Sequence, residues 1–159
     1  GHYVCLDFAE QSLILVRAQE KILHAYANTC RHRGARLLNG EGSLKGIRCP
    51  FHSWYYGLSG KLIAAPQMEE AKAFDKVNYG LIEYKTEERF GFIFVSFNKK
   101  VSDIDEYLLD FKKTHLDWPI EDLVSMRRVE QVVDCNWKMF LEVFKTRASS
   151  HGNFNFYDV

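Results

Sequence analysis

Two short stretches concentrate the residues able to bind metal or attack as nucleophiles. In "NTCRHRGARL" (28–37) Cys30 and His32 stand two positions apart among arginines. Nineteen residues after Cys30, "RCPFHSWYYGLSGKL" brings Cys49 and His52, three positions apart. A thiol beside an imidazole can be coincidence, a catalytic pair or half of a metal site. The second pair favours metal. Tight turns aim neighbouring side chains at one point, and Gly34 and Pro50 suit such turns. An ordinary zinc finger pairs cysteine with cysteine and histidine with histidine. Here each stretch brings one of each, which suits two loops clamping a two-iron cluster, one iron on both thiolates and the other on both imidazoles. A structural zinc site made of the same four side chains is the competing reading.

The elements needed to hold such loops are β-strands, and the first half of the chain reads that way. "SLILVRA" (12–18) and "ILHAYA" (22–27) are apolar runs separated by "QEK", a hairpin pattern. Gly34, Gly40, Gly42, Gly46, Gly57 and Gly60 punctuate the middle, as tight connections between short strands require. "GLSGKL" predicts a turn between a strand ending near Tyr56 and another starting near Lys61. "YGLIEYK" (79–85) and "FGFIFVSF" (90–97) are further strands, the second apolar enough for burial on both faces. Helices come later. Ser102 predicts a cap for a helix with the stripe Ile104, Tyr107, Leu108, Phe111. A strand-like run starts at Val124, and Trp137, Phe140, Leu141 and Phe144 make a second helical stripe.

Bulk properties bound the function classes. At 159 residues the chain is about one domain, with room for a sizeable core. Twenty-one basic and 21 acidic residues give zero formal charge, which favours neither nucleic acid nor an anionic membrane. No apolar run reaches the roughly 18 residues of a transmembrane helix, and no signal peptide opens the chain. Cys5, Cys30, Cys49 and Cys135 are too dispersed for a disulfide framework, which points to a reducing, cytoplasmic setting. The start at Gly1-His2 without methionine suggests an excised piece or tag remnant, natural processing being the alternative.

With both motifs on the page, Cys30-x-His32, sixteen residues and Cys49-x2-His52 resemble the Rieske pattern. Their surroundings resemble the N-terminal domain of Rieske non-haem iron, ring-hydroxylating oxygenase α subunits, whose loops read CxHRG and CPxHGWxY. Ser53 stands where that family more often has glycine. The resemblance implies a mainly β chain with a few helices: a Rieske-type (ISP-like) antiparallel β fold carrying two cluster-binding hairpin loops, then the start of a truncated α+β catalytic domain. It divides the chain into a Rieske [2Fe–2S] domain at 1–100 and, at 101–159, a connecting helix and strand with the truncated catalytic beginning. It implies that Cys30, His32, Cys49 and His52 bind the cluster and that electrons come from a reductase or ferredoxin. Full-length relatives would form homotrimers and hold a mononuclear Fe(II). Respiratory Rieske proteins carry an extra cysteine in each loop; here those positions are Ala35 and Phe51. Without that disulfide, the resemblance implies a potential at the low end of the roughly −150 to +300 mV Rieske range.

"DCNWKMFLEVF" resembles the entry to the catalytic domain, where an acidic residue and two iron-binding histidines should follow. The chain instead reads "KTRASSHGNFNFYDV", with Thr146 and Ser149 at two of those positions and only His151 nearby. The expectation is a truncated chain, an altered tail or a Rieske-only relative, with no 2-His-1-carboxylate site of its own. A stand-alone ferredoxin-like carrier is the alternative, against which the Asn-Trp-Lys helix speaks. Arg31, Arg33 and Arg36 either steer an acidic donor or are solvated loop arginines or structural salt-bridge partners. Trp54, Tyr55 and Tyr56 should pack beneath the cluster. Cys5 and Cys135 read as buried core residues, His24 as a strand residue with a local partner and His115 as a loop residue.

Overall fold

A computed structural model describes residues 1–8, 10–98, 100–114, 120–124, 126 and 132–150. It divides into two units, Gly1–Leu123 and Val124–Val159. The first contains the strands β1 (His2–Phe8), β2 (Gln11–Arg17), β3 (Leu23–Ala27), β4 (Glu41–Ser43), β5 (Ile47–Arg48), β6 (Tyr55–Tyr56), β7 (Leu62–Ala64), β8 (Glu83–Arg89) and β9 (Phe92–Ser96). They form a six-stranded sheet in the order β4-β1-β2-β3-β8-β9 and a three-stranded sheet β5-β6-β7. All the pairings are antiparallel. The architecture is the mainly β, few-helix fold that the sequence implies.

β2 explains where the core lies. Leu13, Ile14, Leu15 and Val16 are all buried, because the strand sits inside the large sheet with both faces covered. Ile14 and Val16 share one face and join a cluster with Ile47, Cys49, Trp54, Tyr56 and Leu62 from the small sheet and its loops. Each such aliphatic side chain contributes about 2 kcal/mol on burial. That cluster is the floor on which the Cys/His stretches rest.

Three expectations are corrected. The run 90–97 is not buried on both faces: β9 lies at the sheet edge, pairs only with β8, and leaves Phe92 and Ile93 exposed. The helix expected from Ser102 is short and split. Asp103, not Ser102, caps α1 (Ile104–Tyr107) by accepting from Asp105 N, and α2 (Phe111–Thr114) follows separately. Cys5 is half-buried and packs against the core cluster, whereas Cys135 is exposed and is not a core thiol. In the second unit α3 runs Trp137–Ser150, with Lys138 N donating to Asn136 Oδ1 at its start. Most of the strand expected at 124–133 lies outside the described residues, as do His115 and His151.

One buried polar side chain ties the large sheet to the first Cys/His stretch. Asn28, 1% exposed, donates to Ser12 Oγ and to Leu38 O, and its Oδ1 accepts from Leu37 N and Leu38 N. Both ends of the segment 28–38 are thereby closed on one amide. Asn28→Ala would strand two loop N–H groups, and the expected loss is roughly 3 kcal/mol of unfolding free energy. Urea unfolding followed by circular dichroism measures it; a loss below about 1 kcal/mol would mean that the loop closes without Asn28.

Candidate metal centre

The two Cys/His stretches fold into hairpins with the same hydrogen-bond frame. In the first, Cys30 N donates to Ala35 O at 2.8 Å and Gly34 N to Cys30 O at 3.0 Å. In the second, Cys49 N donates to Trp54 O at 2.8 Å and Ser53 N to Cys49 O at 3.1 Å. The fifth residue of each, Gly34 (φ 72°) and Ser53 (φ 58°), is left-handed. This explains the glycine preference of the resembling family at position 53, because a side chain there costs about 1–2 kcal/mol. The histidine spacings differ, two residues against three, yet the frame delivers both rings to one place.

The geometry brings all four predicted residues together. The His32 and His52 rings lie 4.8 Å apart, centroid to centroid, at 77°. Each ring is partly exposed, but its Nδ1 is buried and has no hydrogen-bond partner. Cys30 and Cys49 are free, buried at 2% and 1% exposure, and near enough for Cys49 to act on the Cys30 thiol. A buried polar nitrogen without a partner is a net cost to a fold. Two of them side by side, next to two buried thiols, form a donor set fit for a group that takes sulfur and nitrogen ligands. No three His, Cys, Asp or Glu side chains among the described residues converge closely enough for one ion. Two thiols and two imidazoles are the donor set of a two-iron centre with two ligands to each iron.

The electrostatics follow from burial. Desolvation, with Arg33 and His52 adding to it, holds His32 below the ordinary imidazole value, which keeps it the neutral form that ligates metals. Desolvation pushes the Cys30 thiol up, while Tyr56 opposes it. Tyr56 Oη accepts from Arg31 N at 3.1 Å and shares a hydrogen bond with Cys30 Sγ at 3.3 Å. Tyr56 is itself fully buried, and its phenol is raised first by that burial.

The surroundings sort the remaining expectations. Trp54 and Tyr56 lie beneath the loops as expected, whereas Tyr55 is only partly buried and stacks under Arg48. Arg36 is a structural partner, paired with Asp7 at 3.1 Å, while Arg31 and Arg33 are exposed on the first loop. His24 has its local partner in Glu83 at 2.6 Å. Phe51 is 71% exposed and meets His52 edge-on, so the tip presents an apolar ring beside the imidazoles. Sequence reasoning missed Asn28, whose buried clamp had no signal beyond its place two residues before Cys30.

A profile of the Rieske [2Fe–2S] domain family matches residues 1–77. The carnitine monooxygenase oxygenase subunit of Escherichia coli (strain K12) is 33% identical over 88% of this chain and 38% of its own length. The biphenyl dioxygenase subunit alpha of Metapseudomonas furukawaii is 28% identical over 91% of this chain and 34% of its own. The chain thus spans less than two-fifths of these relatives. A solved quaternary ammonium Rieske monooxygenase, in complex with gamma-butyrobetaine, superposes with a TM-score of 0.84 at 27% identity, covering 94% of this chain and 45% of that one.

The shared frame yields a paired expectation. Ser53→Gly relieves the left-handed strain, offset by glycine's larger chain entropy, for a net gain of about 0.5 kcal/mol. Gly34→Ser has room but not the conformation, and should cost about 1 kcal/mol. Thermal unfolding of the two variants should shift in opposite directions; shifts of the same sign would refute the equivalence of the loops.

Proposed function

Residues 1–77 belong to the Rieske [2Fe–2S] domain family, and from that premise we propose that the chain is the electron-transfer domain of a Rieske-type oxygenase α subunit. Electrons would come from a reductase or ferredoxin and go to a mononuclear iron that this chain does not supply. Domain limits of 1–100 for the cluster domain and 101–159 for the connection toward a catalytic domain are part of the same reading. So is a homotrimeric assembly of the whole protein. The observation that carries it is the pair of buried, unpartnered Nδ1 atoms beside two buried free thiols.

Cys30 and Cys49 would hold one iron through sulfur, and His32 and His52 the other through Nδ1. When bound, the cluster would supply one-electron storage. Each residue's contribution follows from its place. The buried thiols exclude water from the sulfur side, and the desolvated His32 stays neutral and able to ligate. A ligating Cys30 thiolate can only accept, so the Tyr56 O–H would donate a hydrogen bond to its sulfur and withdraw charge from it. Arg31 and Arg33 put positive charge beside the partly exposed rings, which suits an acidic donor. No helix among the described residues is long and apolar enough to cross a membrane.

Anaerobically purified protein should contain two irons and two sulfides per chain and give an EPR signal on dithionite reduction. Zinc without sulfide, even after reconstitution, would overturn the reading in favour of a structural module. Tyr56→Phe should keep the cluster and lower its midpoint by on the order of 50 mV, the equivalent of about 1 kcal/mol for a one-electron couple. Potentiometric titration measures it, and an unchanged midpoint would remove Tyr56 from the tuning of the site.

A further inference from the structure

Among the described residues three buried side-chain nitrogens have no hydrogen-bond partner: His32 Nδ1, His52 Nδ1 and Trp54 Nε1. The first two are accounted for as ligands. The third is not. Trp54 is 1% exposed, and its indole lies nearly parallel to the His32 ring at 4.8 Å and 9°. Phe74 and Tyr79 close on it with ring centroids at 5.6 and 5.8 Å. Its carbonyl accepts from Cys49 N, so the indole and the second loop share one backbone frame.

A buried N–H that finds no acceptor works against the fold, and phenylalanine would fill most of this space without one. A trapped water would need about two to four polar partners of its own. The rings that pack against the indole are His32, Phe74 and Tyr79, a poor cage for water. The sulfur-bearing group that His32 and the other three side chains would hold would bring acceptors beside the indole that His32 stacks against. We propose that Trp54 Nε1–H donates a hydrogen bond to a sulfur of that group, and that the same indole fixes the plane of His32. Trp54 is on this reading a positioning residue. The inference rests on the cluster reading above. A donor on sulfur favours the reduced, more negative form and raises the potential.

The test uses protein carrying Trp118→Phe and Trp137→Phe, so that Trp54 is the one indole, grown with indole-15N tryptophan and reduced. Pulsed EPR should show a 15N coupling from Trp54. Trp54→Phe, still holding two irons and two sulfides, should lose that coupling. At the midpoint of the unsubstituted protein its reduced-to-oxidised ratio should fall at least threefold, about 30 mV for one electron. An absent 15N coupling overturns the proposal whether or not the Phe variant assembles its cluster. A Phe variant with an intact cluster and an unchanged midpoint overturns it as well. Protein without iron and sulfide would instead remove the cluster reading, and this inference with it.

Discussion

Keeping an imidazole nitrogen out of water with nothing to bond costs about 1–3 kcal/mol, and two such nitrogens cost twice that. Bringing the His32 and His52 rings to 4.8 Å with both Nδ1 atoms buried, where a bound group would take up both, is the constraint on which the arrangement depends. Neither ring could be kept there by a loose loop. Each hairpin is closed by two backbone hydrogen bonds on its cysteine and turned by one left-handed residue. Beneath them Trp54 and Tyr56 are fully buried, and those rings rest on Ile14 and Val16 of the large sheet. That apolar core holds the two loops in place.

The polar groups around the site divide between holding and tuning. Asn28 and the Asp7–Arg36 pair fasten the first loop to the sheet. Tyr56 reaches the Cys30 sulfur and the Arg31 amide with one hydroxyl, joining loop position to sulfur charge. Arg31 and Arg33 stay at the surface, where charge acts on encounter more than on stability. In a chain of zero formal charge, the local sign beside the site matters more than the total.

Much of the fold was legible because short apolar runs bounded by turn residues, such as 12–18 and 22–27, favour strands. The errors share a cause. The runs 13–16 and 92–96 are similarly apolar, but one lies inside the sheet and the other at its edge, and strand order is not written in either run. The helix start shifted from Ser102 to Asp103 because a cap depends on local backbone angles that several neighbouring polar residues can meet. The thiols Cys5 and Cys135 looked alike in sequence and differ only in what packs around them.

The sequence by itself determined the donor set, because ligand chemistry is a property of residue type and of spacing within a few positions. Two Cys/His pairs, a turn-forming residue in each and the aromatic run after the second were readable without coordinates. Only the tertiary structure decided that the loops are equivalent, that Ser53 occupies the left-handed position of Gly34, and that Asn28 clamps the first loop. It also decided that Trp54 stands against His32 with its N–H unspent. These are contacts between chain segments that sequence does not order in space, and burial alone turns an ordinary side chain there into a constraint.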